Sequence, residues 1–246
     1  MERLARIVVV GYVVITFISV IITYCFSIVL DHNNPFLPTL SLLGNEPLES
    51  AIFTQCFVVD ATILMVVVQL KFVHVYHNLI KLKASKNAFK TNLFGVYAGY
   101  LSGTGLFVVA CFQERNAYYI NQFAGIFIYF FSSTIYFILQ TIISVKIARN
   151  NMDWILIKIR ILLNILIVFF FIFFEINYLI ALKKSQIPRV KRNKWPKNDE
   201  GWVFHISSTT SEWILLFLLQ SYIITFYHDF KYINITRTKI IVNIEN

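Results

Sequence analysis

The sequence predicts an all-α polytopic membrane protein, a bundle of six transmembrane helices. Composition is the first observation behind this. Hydrophobic residues make up 57% of the 246 and charged residues only 14%, against roughly 25% charged in a soluble domain. The second is clustering: the charges fall in short segments and leave apolar runs near the roughly 20 residues that cross a bilayer. The third is that these runs do not alternate apolar with polar residues, which argues against barrel strands.

Six runs follow in order: Ile7–Leu30, Leu48–Phe72, Asn92–Phe112, Ile120–Val145, Ile161–Leu182 and Ser211–Phe230. No linker, repeat or low-complexity tract separates them, so residues 1–246 are read as one transmembrane domain. The first run follows Arg3 and Arg6 as a signal peptide would, yet it is longer than a signal core and no small-x-small site follows; a retained helix is expected. Between the first two runs lies NPFLPTLSLLGNEPLESAIF, Asn34 to Phe53. Pro35, Pro38 and Pro47 fix φ there, and Gly44 is expected to supply a turn at positive φ. Pro47 suits the first turn of a helix and Glu49 suits its positive end. The third run carries Gly95, Gly99 and Gly103 at four-residue spacing, with Gly105 beyond. This smooth face is expected to pack closely within the bundle.

Charge placement orients the chain. With both termini cytosolic, fourteen Lys and Arg face the cytosol and eight face the other side, as the positive-inside rule prefers. Seven of those eight fall in the loop between runs five and six, around 183–208, which opposes the assignment. The first loop, with three acids and no Lys or Arg, supports it. The net charge of +9 implies contact with the bilayer and its anionic lipid headgroups. Nucleic acid is excluded as a partner, because no soluble module presents these charges. Protein partners would meet the cytosolic loops.

Candidate residues each have a plain reading beside the functional one. Asp60 and Glu175 lie within runs two and five, and an intramembrane acid is a candidate for transport or proton relay. No Lys or Arg is expected deep in a run, so both acids should be protonated and bonded to Gln55, Gln69, Asn164, Asn177 or water. His205 and Glu212 flank the start of run six, but Thr209-x-x-Glu212 reads as a capping box. Trp154, Trp195, Trp202 and Trp213 read as interfacial anchors. Cys25, Cys56 and Cys111 have no disulfide or zinc spacing and read as packing residues. Tyr76 with Leu79, and Tyr232 with Ile235, fit a tyrosine-based sorting signal; Tyr232 reads equally as an interfacial anchor. No Walker loop, HExxH pair, nucleophile elbow or glycine-rich phosphate loop is present, so neither catalysis nor a cofactor is expected.

The Asn34–Phe53 stretch, ACFQE at Ala110–Glu114, IYFILQTIIS at Ile135–Ser144, FHISSTTSEW at Phe204–Trp213 and TFYHDF at Thr225–Phe230, in that order, resemble the DRAM family of DNA-damage-regulated autophagy modulators. The matching positions are Pro35, Pro38, Ser41, Gly44, Pro47, Glu49, Ser50, Phe53, Phe112, Gln113, Tyr136, Gln140, His205, Glu212, Trp213, Asp229 and Phe230. The resemblance implies six helices, cytosolic termini, lysosomal or endosomal membranes and promotion of autophagy. It carries over no catalytic residue. Leu42 stands where the family usually has an acid, and Asn121 where it has a histidine, which weakens any acid–histidine site. The leading expectation is a non-enzymatic modulator or scaffold. The alternative is a small-solute transporter, channel or lipid-remodelling protein built on Asp60, Glu175, His205 and Glu212, for which a cavity lined by those residues would speak.

Overall fold

The computed structural model describes residues 2–112, 119–148, 151–187 and 194–232. Its long helices are α1 (Glu2–Val29), α2 (Pro47–Lys81), α3 (Lys86–Cys111), α4 (Tyr119–Ile147), α5 (Asn151–Lys184) and α6 (Trp202–Ile224). A one-turn helix, α7 (Phe226–Asp229), follows α6 directly. Six helices are long and apolar enough to cross a membrane, and no strand occurs among the described residues. The predicted fold class holds.

The boundaries differ from the hydropathy runs, and packing explains why. Run two was drawn to end at Phe72, but α2 continues to Lys81 and α3 starts at Lys86 rather than Asn92. Val75, Leu79, Ala88 and Ile143 are fully buried in a small cluster of their own that stabilises these extensions. Helix α5 starts at Asn151, not Ile161, because Ile157 and Arg160 already face the interior. Both α2 and α5 are about 50 Å long at 1.5 Å per residue, well beyond the ~30 Å hydrocarbon layer.

Glycine has the expected packing role, at shifted positions. Gly95, Gly99 and Gly103 are buried, so they face the bundle. Their neighbours are side chains: a Cβ at Gly95 would stand 3.0 Å from Gln140, one at Gly99 2.6 Å from Val68, and one at Gly103 2.8 Å from Met65. The close backbone approach is elsewhere. A Cβ at Gly105 would lie 2.5 Å from the Tyr129 backbone nitrogen, and one at Gly125 3.0 Å from that of Val109. Ser102 and Ser133 share a 2.6 Å hydrogen bond across the same α3–α4 seam. Gly44 has no positive φ; that conformation falls on Asp31 and Leu37 instead. Gly44 is needed for space, since a Cβ there would stand 2.5 Å from the Phe53 ring.

Lys and Arg do lie deep in the bundle, against the sequence-based expectation. Lys71 of α2 and Arg160 of α5 are 0% and 2% exposed. Both bond Asp229 Oδ2 at 2.5 Å. Arg160 also donates from Nη1 to Ser144 at 2.8 Å, from Nε to the Thr225 hydroxyl at 2.9 Å and from Nη2 to the Thr225 carbonyl at 3.2 Å. Both cations sit over the Phe226 ring, at 4.9 and 5.5 Å from its centroid. This cluster ties α2, α4 and α5 to the end of α6, and Phe230 beside it is fully buried.

Two stability outcomes follow, both read as thermal unfolding in detergent. Gly105→Ala should cost about 1–3 kcal/mol, because backbone cannot yield to the new methyl, whereas Gly103→Ala meets the flexible Met65 and should cost much less. Asp229→Ala leaves two buried cations uncompensated and should cost about 3–5 kcal/mol.

Candidate functional site

Many of the family-motif residues gather at one place, the first loop and the helices that grip it. The loop runs from Leu30 into the bundle, makes a 3-10 turn at Leu40–Leu42, and leaves through Gly44 into α2. Leu43 is fully buried. Irregular backbone at such depth must find polar partners within the protein. The partners come from three elements, α1, α4 and α6. Tyr24 of α1 donates to the Pro35 carbonyl at 2.8 Å. Trp213 of α6 donates from its indole to the Pro38 carbonyl at 3.0 Å. Thr39 and Thr209 share a 3.2 Å hydroxyl pair. Glu212 accepts the Leu40 amide at 2.9 Å, and Gln122 of α4 donates to the Ser41 carbonyl at 2.7 Å.

These contacts overturn the capping box. Helix α6 begins at Trp202, so Thr209 and Glu212 lie within it, 0% and 3% exposed. Glu212 does cap backbone, but that of the 3-10 turn rather than of its own helix. Trp213 is likewise a loop clamp, edge-on to Tyr24 at 6.4 Å, rather than an interfacial anchor. At the start of α2, Pro47 occupies the first turn as expected, and Ser50 donates its amide to the Glu46 carbonyl at 2.7 Å. Glu49 is fully buried there and bonds His32 Nδ1 at 2.7 Å. Phe53 stacks on Phe57 at 4.3 Å.

The loop before α6 docks onto the first loop. Lys194 bonds Asp31 at 2.7 Å and holds that carboxyl below its usual range. Trp195 is 5% exposed and stacks on His205 with centroids 4.2 Å apart. Burial alone would raise the Asp199 carboxyl, but hydrogen bonds from the Trp195 indole, the Gly201 amide, Gln186 and Ser185 outweigh it and lower it. Part of the basic loop that opposed the charge rule is therefore matched to the acidic first loop.

Two cavities meet at the loop. The inner one, of about 60 Å³, is lined by Asp60, Ser41 and Glu212 among others. The outer one, of about 170 Å³, is lined by His205, Trp195 and Asn33. Asp60 and His205 therefore belong to separate spaces, with the Pro38–Leu42 turn between them. Asp60 is fully buried and bonded by Thr16 at 3.4 Å, not by Gln55 or Gln69. Glu175 lines neither cavity, and its Oε1 has no hydrogen-bond partner among the described residues. Asn164 bonds Thr141 and Asn177 its own helix, so neither serves Glu175. No group of three or more potential metal-ligating His, Cys, Asp or Glu occurs among the described residues.

Of the other motif residues, Tyr136, Gln140, Asp229 and Phe230 lie toward the far end, whereas Phe112 is on the loop's side, next to the Ala110 carbonyl to which Thr54 of α2 donates. Tyr136 is buried edge-on to Phe226, and Gln140 faces Gly95. Phe112 ends α3. Asp229 holds Lys71 and Arg160 together, two residues that charge counting places on the cytosolic side. A buried motif acid such as Asp229 was the available signal that a buried cation must exist. Cys25 and Cys111 are exposed on helix surfaces, not packed inside. Tyr76 and Leu79 lie in α2, with Leu79 fully buried, so that segment is not an extended sorting peptide. Gln113, the Tyr232 side chain and Ile235 lie outside the described residues.

Glu212→Ala should leave the half-buried Leu40 amide without its acceptor and cost about 1–3 kcal/mol, with faster amide exchange over residues 39–45. Glu212→Gln keeps an acceptor and should lose less than half as much.

The chain is 28% identical over 236 residues to rat DNA damage-regulated autophagy modulator protein 2, covering 91% of this chain and 82% of the relative. It is 25% identical over 214 residues to human DNA damage-regulated autophagy modulator protein 1, covering 86% and 84%. No solved structure matches it. The family model for the Frag1/DRAM/Sfk1/Cwh43P N-terminal domain matches residues 4–233, and the chain, a multi-pass membrane protein, belongs to that family.

Proposed function

We propose that this protein is a non-enzymatic modulator of autophagy in lysosomal or endosomal membranes, acting as a scaffold. The observation that carries this reading is the likeness, across most of the chain, to relatives named as autophagy modulators. The geometry supports the non-enzymatic half. The motif residues Pro38, Ser41, Glu49, Glu212 and Trp213 hold the loop through backbone and side-chain hydrogen bonds, and such bonds are structural. The termini are cytosolic and the first loop is lumenal in this reading, consistent with the early loop's lack of Lys and Arg. Lys81, Lys83, Lys86 and Lys90 are exposed around the α2–α3 turn. They are suited to anionic headgroups, and that turn is where a protein partner would dock.

The test is depletion and re-expression of a tagged chain. Co-localisation with a lysosomal marker and reduced autophagic flux on depletion are expected. Unchanged flux, or retention at another membrane, would overturn the role. The orientation is checked in the same cells, because the sequon Asn234-Ile235-Thr236 should stay bare in a cytosolic tail. A glycosidase-sensitive mass lost in Asn234→Gln would reverse it.

A further inference from the structure

The inner cavity has a polar end and an aromatic body. Asp60, Tyr12 and Thr16 form the inner end, Phe53, Phe57 and Phe130 line the walls, and Glu212 closes the side toward the loop. Asp60 is 0% exposed. The Thr16 hydroxyl meets its Oδ1 at 3.4 Å and the Ser19 hydroxyl also bonds the carboxyl group, while Oδ2 meets no donor in hydrogen-bond geometry among the described residues. The two buried cations, Lys71 and Arg160, are engaged by Asp229 instead. A buried carboxylate oxygen without a donor is costly to leave so, and this one lines open space.

Three kinds of occupant can be separated. A neutral apolar molecule would suit the walls and leave Oδ2 without a donor. A bare metal ion would need about six oxygens, but the walls are aromatic and aliphatic, and the described residues hold no cluster of three metal-ligating side chains. An organic ammonium answers both ends. Its N–H groups can donate to Asp60 Oδ2 and to the hydroxyl oxygens of Thr16 and Tyr12, its charge neutralises the carboxylate, and aromatic faces attract it. Thr16 donates to the Tyr12 carbonyl at 3.0 Å, which leaves its own oxygen free to accept. The volume of about 60 Å³ equals about two waters at the ~30 Å³ each takes in the liquid. That is room for an ammonium bearing a single carbon.

We propose that the cavity between Asp60 and Glu212 is a binding site for a small primary alkylammonium, with Asp60 as its counter-ion. The site stands independently of the autophagy role and is tested on purified protein.

The probe is methylammonium chloride at pH 7, where an alkylammonium is charged as a lysine side chain is. The controls are methanol, which has the same carbon without the charge, and sodium chloride at equal concentration. Methylammonium should raise the unfolding temperature in a saturable way, and neither control should. Asp60→Asn should weaken that binding about tenfold or more, through loss of the charged acceptor. Val109→Phe fills the cavity and leaves Asp60 intact, and it should also remove the shift, which keeps the test decisive if Asp60→Asn does not fold. An equal shift with methanol, protection by sodium alone, or a methylammonium shift that survives either variant would overturn the site.

Discussion

A stretch of irregular backbone is buried among apolar helices, and each of its polar groups must be met by a side chain from the bundle. The Leu40 amide shows the constraint most clearly. It lies in a half-buried turn, and Glu212, itself 3% exposed, accepts from it. The same logic places Tyr24, Gln122, Thr209 and Trp213 against the loop. Because these side chains belong to α1, α4 and α6, satisfying the loop also fixes those helices relative to one another. Prolines at 35, 38 and 47 make the arrangement easier, since each lacks an amide that would otherwise need a partner.

The opposite end of the bundle is closed by charge rather than by backbone. Asp229 receives Lys71 and Arg160, and Phe226 lies under both cations. Two cations with one anion would be unstable if bare. The Ser144 hydroxyl and the Thr225 hydroxyl and carbonyl complete the guanidinium's hydrogen bonds. Between the two ends, small residues set the spacing of α3 and α4 through Gly105 and Gly125. The inner cavity lies beneath the loop, where clamp and wall residues overlap at Phe53, Ser41 and Glu212. A ligand there would touch the residues that hold the loop, so occupancy and loop position are physically coupled.

The family-motif positions sort by this architecture rather than by chemistry. Pro38, Ser41, Gly44, Glu49, Glu212 and Trp213 gather at the loop, and Asp229 and Phe230 at the charge cluster. Asp60, which is outside the pattern, lines the cavity between them.

Class, number of helices and loop position were legible in the sequence, because apolar length and clustered charge are one-dimensional quantities. So was the placement of Pro47 and Glu49 in the first turn of α2, because capping is local in the chain. The partners of the charged and polar side chains were not. Lys71 and Arg160 read only as cytosolic-side charges by counting, since nothing local reveals that Asp229, well over sixty residues away along the chain, meets them. Glu212 carried a valid local reading as a cap and was taken by Leu40, 172 residues distant. The glycine ladder announced close packing, but which glycine meets backbone depended on how α3 crosses α4. Periodicity and capping act over a few residues and can be read in line. Long-range pairing depends on which helices become neighbours, and only the assembled bundle decides that.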